Sequence, residues 1–157
     1  IFWAWLPIIG FEPIMILTMM SISLIYQFLP HTELVGKLAS PIEFFFNTPS
    51  HHRVHHSSNI RYLDKNHGGI LIIWDRLFDT FQEELDEDQP KYGITVNIHT
   101  YNPLRIASHE YIDLWRDIKK ADGWRNKIGY MIHPPGWSPE GPFKTAKYLQ
   151  KQFQSPD

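Results

Sequence analysis

Four of the six residues at positions 51–56 are histidines, and this cluster is the part of the sequence best suited to bind a metal ion. A neutral imidazole binds iron, zinc or copper through one ring nitrogen. On an α-helix, His52, His55 and His56 stand at positions i, i+3 and i+4 and share one face. His51 points about 100° away from His52, so we expect it to be the weaker ligand candidate.

The residues before the cluster predict the helix that would position these side chains. Thr48 is a favourable N-cap, and Pro49 suits the first helical position because its ring already has a helical φ. The sequence therefore predicts a short helix over residues 49–59 that presents three imidazoles on one face.

Three imidazoles do not complete a site for two metal ions, so other residues must contribute. His31 is the nearest further candidate for a metal ligand. Carboxylates often hold ligand imidazoles in place through the second ring nitrogen. Glu33, Asp64 and Asp75 are the nearby carboxylates available for this role.

Composition limits the alternatives. The chain has 157 residues, a net charge of -2 and no cysteine. A near-neutral chain gives no electrostatic reason to expect nucleic acid as a partner. The absence of cysteine excludes disulfides, thiolate zinc sites, iron–sulfur clusters and cysteine nucleophiles.

Apolar residues are concentrated at the beginning of the chain. Residues 14–29 carry no charge and as a helix would span roughly 24 Å, close to the ~30 Å hydrocarbon core of a bilayer. Residues 1–9 are also apolar, and residues 10–13 have turn chemistry. We therefore predict a membrane helical hairpin over residues 1–30. The chain begins inside an apolar run without Met, so we also expect it to be truncated at its N-terminus.

Charge asymmetry predicts the orientation of the hairpin. The turn carries only Glu12, whereas five basic residues follow the second arm: Lys37, Arg53, Arg61, Lys65 and Arg76. The positive-inside rule then places the metal site and the C-terminus on the cytoplasmic side of an integral membrane protein. The expected fold is all-α, with a His-rich metal-binding region over residues 31–82 and a cytosolic helical cap over residues 83–157. An amphipathic helix is predicted within that cap over residues 103–120.

Short motifs in a fixed order give the sequence a family resemblance. They are Tyr-Gln-Phe at 26–28, His-Thr-Glu at 31–33, Asn-Thr-Pro-Ser at 47–50, Asp-Lys-Asn at 64–66, Gly-Gly at 68–69 and Trp-Asp-Arg-Leu-Phe at 74–78. With the His-x-x-His-His pattern at 52–56, they resemble the fatty acid hydroxylase and sterol desaturase superfamily. Within it, they are most similar to the alkylglycerol monooxygenase-like branch.

The resemblance implies a helical membrane scaffold under a cytosolic cap, in which eight or more histidines bind two iron ions. The third histidine cluster of the family falls on His52, His55 and His56, and its isolated histidine falls on His31. The two earlier clusters have no counterpart in this chain, so we expect the chain alone to be inactive. The sequence departs from the family at two positions. His67 stands where the family usually has Tyr, and it lies outside the matched ligands. Asp79 stands where Gly is common, in a turn that needs positive φ.

The activity implied by the resemblance is O2-dependent hydroxylation or desaturation of a lipid, such as an ether lipid, a sterol or a fatty acyl chain. Electrons would come from an external donor of the cytochrome b5, ferredoxin or tetrahydropterin kind. Two alternatives remain open. One is a membrane zinc hydrolase, although no Glu lies inside the histidine run to act as general base. The other is an inactive membrane scaffold.

Overall fold

A computed structural model describes residues 3–141 and 144–154 of the chain. Within these ranges the regular structure is helical, with seven α-helices and β-pairing limited to isolated bridges. This confirms the predicted all-α class. The chain divides into two compact units, the first ending at Gly93 and the second beginning at Ile94. The predicted division into residues 1–30, 31–82 and 83–157 stays a prediction, and its outermost residues lie outside the described ranges.

The apolar N-terminal segment forms one α-helix and not two. A 3-10 turn at Pro7–Ile9 precedes helix α1, Pro13–Phe28, whose 16 residues extend about 24 Å. None of the helices in the described ranges combines the length and the apolar character that a bilayer crossing requires. The predicted membrane hairpin is therefore not confirmed, and the described residues of its first arm form turns in place of an α-helix. Residues 1 and 2 of the first arm lie outside the described ranges.

Three short α-helices follow in the first unit: α2 at Ser40–Phe45, α3 at Pro49–His55 and α4 at Ile73–Leu77. A further 3-10 turn lies at Ile60–Tyr62. Helix α3 begins at the predicted residue but ends four residues before the predicted end at Asn59. The side chains of Ser57 and Asn59 hydrogen-bond each other locally, and such bonds compete with helical ones.

Two short antiparallel pairings hold the ends of α3. Before the helix, Asn47 N donates to Ile70 O and Ile72 N donates to Phe45 O. After the helix, Ser58 N donates to Lys91 O. The helix that carries the histidines is therefore fixed at both ends by main-chain hydrogen bonds, although it has only two turns.

The interior of the first unit is small and largely polar. Its buried apolar side chains are Val54, Tyr62 and Ile72. Nine polar or charged residues are also buried: Asn47, Thr48, Ser50, His51, His52, Ser57, Asn66, Asp75 and Glu84. Because buried polar groups are costly unless they are hydrogen-bonded, this interior specifies geometry through its hydrogen bonds more than through apolar packing.

The second unit contains α5 at Pro103–Lys120, α6 at Gly123–Ile132 and α7 at Ala146–Gln154. Helix α5 has the predicted bounds, and the Asn102 side chain caps it by accepting from two main-chain N–H groups. The Trp137 ring lies against Gly129, where there is no room for a Cβ atom. The same ring stacks on His133 at 4.4 Å.

Candidate metal centre

Three imidazoles converge at one point in the first unit. His31 Nε2 lies 2.9 Å from His52 Nε2 and 3.2 Å from His56 Nε2, and the last two atoms are 3.0 Å apart. His52 lies on α3, His56 directly follows that helix, and His31 lies in the segment after α1. We call His31, His52 and His56 the triad.

The geometry of the triad fits a metal ion. Three nitrogens about 3 Å apart can each lie about 2.1 Å from a common ion, which they then contact at angles of about 90°. Such an arrangement occupies one side of a coordination shell and leaves the opposite side open. Iron, zinc and copper all accept imidazole ligands of this kind.

A hydrogen bond sets the tautomer of His31, and burial favours the neutral, metal-binding form of His52 and His56. His31 Nδ1 lies 2.7 Å from the main-chain oxygen of Gln27, so Nδ1 carries the proton and Nε2 presents a lone pair. Burial, reinforced by His31, His56 and His55, lowers the pKa of His52 to about 4. Burial, reinforced by His55 and His31, also lowers the pKa of His56. Neutral imidazoles whose nitrogens face one another at about 3 Å are a donor set that favours a cation between them.

His55 lies beside the triad. Its ring centre is 5.1 Å from that of His56 and 5.8 Å from that of His52, and its Nδ1 lies 3.2 Å from the main-chain oxygen of Lys65. The ligand atoms that lie within 4.8 Å of one another belong to His31, His52 and His56. The structure thus brings three of the four predicted ligands together and places the fourth at the edge of the group.

His51, the weaker ligand candidate, is turned into the interior. Its Nε2 lies 2.8 Å from a carboxylate oxygen of Glu43, and its Nδ1 lies 3.2 Å from the main-chain oxygen of Phe46. Burial lowers the pKa of His51, while the Glu43 carboxylate opposes the shift. Both ring nitrogens are occupied by protein oxygens, so His51 joins α3 to α2 and does not face the triad.

The three carboxylates expected to support the ligands have different positions. Glu33 is exposed, and its carboxylate adds to burial in raising the pKa of the Tyr92 hydroxyl. Asp64 occupies a turn with a φ of 53°. Asp75 is buried and accepts from the main-chain N–H groups of His67 and Gly68, each at 2.7 Å. The acceptors that the structure places on His31 and His55 are main-chain carbonyls instead, which sequence patterns do not reveal.

Two further residues hold the site, although sequence reasoning did not identify them. Asn66 is buried, donates to the main-chain oxygens of His51 and Gln82, and accepts from the N–H group of Gln82. Arg53 lies on α3 between the histidines and bonds to Glu84. The one available signal was the position of each residue, since Arg53 lies inside the histidine run and Asn66 lies in the Asp-Lys-Asn motif.

Comparison with known proteins identifies relatives of the chain. The sequence model of the fatty acid hydroxylase family matches residues 1–80, which contain the whole triad. Alkylglycerol monooxygenase of Homo sapiens is 41% identical over 123 residues, covering 78% of this chain and 27% of that protein. Alkylglycerol monooxygenase of Danio rerio is 46% identical over 120 residues, covering 76% of this chain and 26% of that protein.

A more distant relative is ornithine lipid hydroxylase OlsE of Rhizobium tropici, which is 36% identical over 61 residues, covering 39% of this chain and 18% of that protein. No solved structure matches the chain. The chain spans about a quarter of the length of the alkylglycerol monooxygenases that it matches. Since the family match covers more than half of the sequence and contains the triad, the chain belongs to the fatty acid hydroxylase superfamily, in its alkylglycerol monooxygenase-like branch.

Proposed function

We propose that the chain carries part of the iron site of a non-haem di-iron oxygenase that hydroxylates or desaturates a lipid. The observation that carries this proposal is the convergence of His31, His52 and His56 Nε2 atoms at about 3 Å from one another. The family membership supports iron as the metal, because the matched relatives bear the names of lipid hydroxylases and monooxygenases.

The histidines of the chain would bind the metal ion, and the residues around them hold the imidazole rings in place. The Nε2 atoms of His31, His52 and His56 would hold one ion, and His55 is the nearest imidazole for a second. The Gln27 carbonyl fixes the tautomer of His31. Iron bound there would supply the reduction of O2 and the oxidation of an unactivated C–H bond.

An apolar groove beside α1 supports a lipid as the substrate. It has a volume of about 400 Å³, and apart from Ser23 and Gln27 its lining is apolar: Trp3, Leu6, Phe11, Met15, Ile16, Met19, Met20 and Leu24. Gln27 also holds His31 through its main-chain oxygen. One end of the groove therefore reaches the residue that positions a ligand of the triad. An alkyl or acyl chain lying in the groove would have one end near the proposed iron.

The remaining reactants come from outside the chain. O2 is the oxidant, and the electrons would be supplied by a separate donor of the cytochrome b5, ferredoxin or tetrahydropterin kind. The names of the matched alkylglycerol monooxygenases favour an ether lipid over a sterol or a fatty acyl chain. Further histidines are needed for a second iron, and we propose that other parts of the full-length protein supply them.

We also propose that the protein is an integral membrane protein whose metal site faces the cytoplasm. No residue of α1 is buried, and most of its exposed side chains are apolar. The basic residues that follow α1 support the orientation. A reporter fused after residue 157 should be cytoplasmic, and a protease-protected location across the membrane would contradict the orientation.

Metal analysis of the full-length protein, combined with lipid turnover, tests the proposal. We expect two iron ions per polypeptide and a product that forms only when O2 and a reductant are present. One zinc ion with hydrolysis that needs no O2 would instead support a metal hydrolase. A protein with no metal and no turnover would be a scaffold.

A further inference from the structure

His67 lies next to His55, the imidazole beside the triad. The two ring centres are 5.8 Å apart and the ring planes are nearly perpendicular, at 81°. His55 is the predicted ligand that does not share the triad's close nitrogen contacts. The described imidazoles in this region therefore form a triad and, beside it, a pair.

The loop that carries His67 is fixed by its own hydrogen bonds. Asp75 accepts from the N–H groups of His67 and Gly68 with its two carboxylate oxygens, each at 2.7 Å. A Cβ atom on Gly68 would lie 2.5 Å from the Leu71 carbonyl oxygen, so the loop is closely packed there. The same loop supplies the Lys65 carbonyl that contacts His55 Nδ1. One rigid loop therefore places the His67 ring and orients the His55 ring.

We propose that His55 and His67 together bind a second divalent transition-metal ion, for which His67 is a ligand beyond the family's pattern. The inference rests on the proposed di-iron function. Two imidazoles that share a metal ion have ring centres about 4.5 to 6.5 Å apart, given metal–nitrogen distances of about 2.1 Å. The separation of 5.8 Å lies in that range. The proposal departs from the expectation that His67 lies outside the matched ligands.

The surroundings of His55 and His67 leave both rings able to bind a metal ion. His55 Nδ1 faces the Lys65 carbonyl, so its Nε2 is the atom left for a metal. His67 is exposed, and the loop is held by main-chain bonds to Asp75 that a metal ion on the His67 ring would leave intact. Imidazole suits iron, zinc and copper alike, and iron is the ion expected from the family.

The test uses the full-length protein, loaded anaerobically with Fe²⁺ alone, and measures binding without measuring turnover. The variants are His67→Ala, His55→Ala, the double variant and His67→Tyr, with His109→Ala in the second unit as the matched control. We expect two equivalents of Fe²⁺ in the unchanged protein and in the control. In His67→Ala the second equivalent should bind about tenfold or more weakly. The double variant should bind it no more weakly than His55→Ala, because the two rings serve one ion.

His67→Tyr restores the residue that is usual in the family, where it lies outside the ligand set. Its second equivalent of Fe²⁺ should therefore bind as weakly as in His67→Ala. If either variant keeps both equivalents at unchanged affinity, the inference is wrong while the proposed function stands. If the unchanged protein binds no iron, the proposed function and this inference fall together. A different outcome is that the unchanged protein binds a single equivalent of Fe²⁺ that is lost in His56→Ala but kept in His67→Ala. That result would show that His55 and His67 form no second metal site.

Discussion

Arg53 donates two hydrogen bonds to Glu84, from Nε at 2.8 Å and from Nη2 at 2.7 Å. Both side chains are largely buried, with exposed fractions of 13% and 11%. The remaining nitrogen, Nη1, donates to the main-chain oxygens of Thr32 and Val35. Because these two residues follow His31, Arg53 connects the segment that carries one ligand of the triad to the helix that carries another.

Arg53→Lys should weaken the triad without removing any ligand. Lysine keeps the charge but cannot reproduce the planar fork, so the bonds to Thr32 and Val35 should be lost. We expect Fe²⁺ affinity to fall about tenfold and the free energy of unfolding to fall by about 2 kcal/mol. Fe²⁺ titration and thermal unfolding measure the two effects. Arg116→Lys changes an exposed pair with Asp113 and should alter neither. Unchanged iron affinity in Arg53→Lys would show that His31 is positioned by other contacts.

A histidine scan should separate ligand loss from loss of stability. His31→Ala, His52→Ala and His56→Ala should each lose iron, because two imidazoles cannot hold the ion that three were arranged to bind. His51→Ala should retain iron. It should nevertheless lower the free energy of unfolding by about 2 kcal/mol, because Glu43 loses the partner of a buried contact.

Iron content per polypeptide and thermal unfolding of the same samples distinguish the two outcomes. If His51→Ala loses its iron while His52→Ala retains it, the assignment of α3 faces is wrong. If every variant retains metal and O2-dependent turnover, the proposal of an iron oxygenase fails.

The metal-free protein should lose stability as the pH falls from 6.5 to about 4. The pKa of His52 drops from 6.5 to about 4 on folding, so in this window the unfolded chain takes up a proton that the folded chain does not. The stability is fully present above pH 6.5 and decreases by roughly 3 kcal/mol across the window. The lowered pKa of His56 acts in the same direction. Unfolding measured between pH 7.5 and 4 checks this prediction, and a curve for His52→Gln that is as steep as the original would contradict it.

Asp79→Gly should stabilise the first unit. Asp79 has a φ of 59°, in the left-handed region that costs most side chains free energy and that glycine adopts readily. We expect a gain of about 0.5 to 1 kcal/mol, whereas Asp79→Ala should be destabilising because alanine carries a Cβ without the polar group of Asp. Denaturant unfolding of the two variants provides a matched comparison. Equal stability in both would show that the backbone conformation of this turn carries no cost.

Sequence reasoning identified the features that depend on local chemistry. The Thr48-Pro49 pair marked the first residue of α3, and the apolar period marked the bounds of α5. The positive φ at Asp79 followed from the family's glycine at that position and is confirmed. Each of these signals lies within a few residues of the structure that it specifies.

The parts that sequence reasoning missed depend on contacts between distant residues. The helix-face argument grouped His52, His55 and His56, but the short helix ends at His55. The ring that converges with His52 and His56 belongs to His31, which was named as a further ligand but not as the partner closest to these two. Asp75 was expected to support the ligands, but it binds the main chain of its own loop. The apolar run at residues 1–9 was expected to form one arm of a helical hairpin, but it contains the 3-10 turn at Pro7–Ile9.

The main-chain pairings at the two ends of α3 make the integrity of the site measurable by amide hydrogen exchange. The N–H groups of Asn47 and Ile72 lie in one pairing, and that of Ser58 lies in the other. Local opening of either pairing would release an end of the helix and separate the converging nitrogens. The three amides should therefore exchange together as one cooperative unit. Metal binding should slow their exchange by a common factor, even though none of these residues contacts the ion.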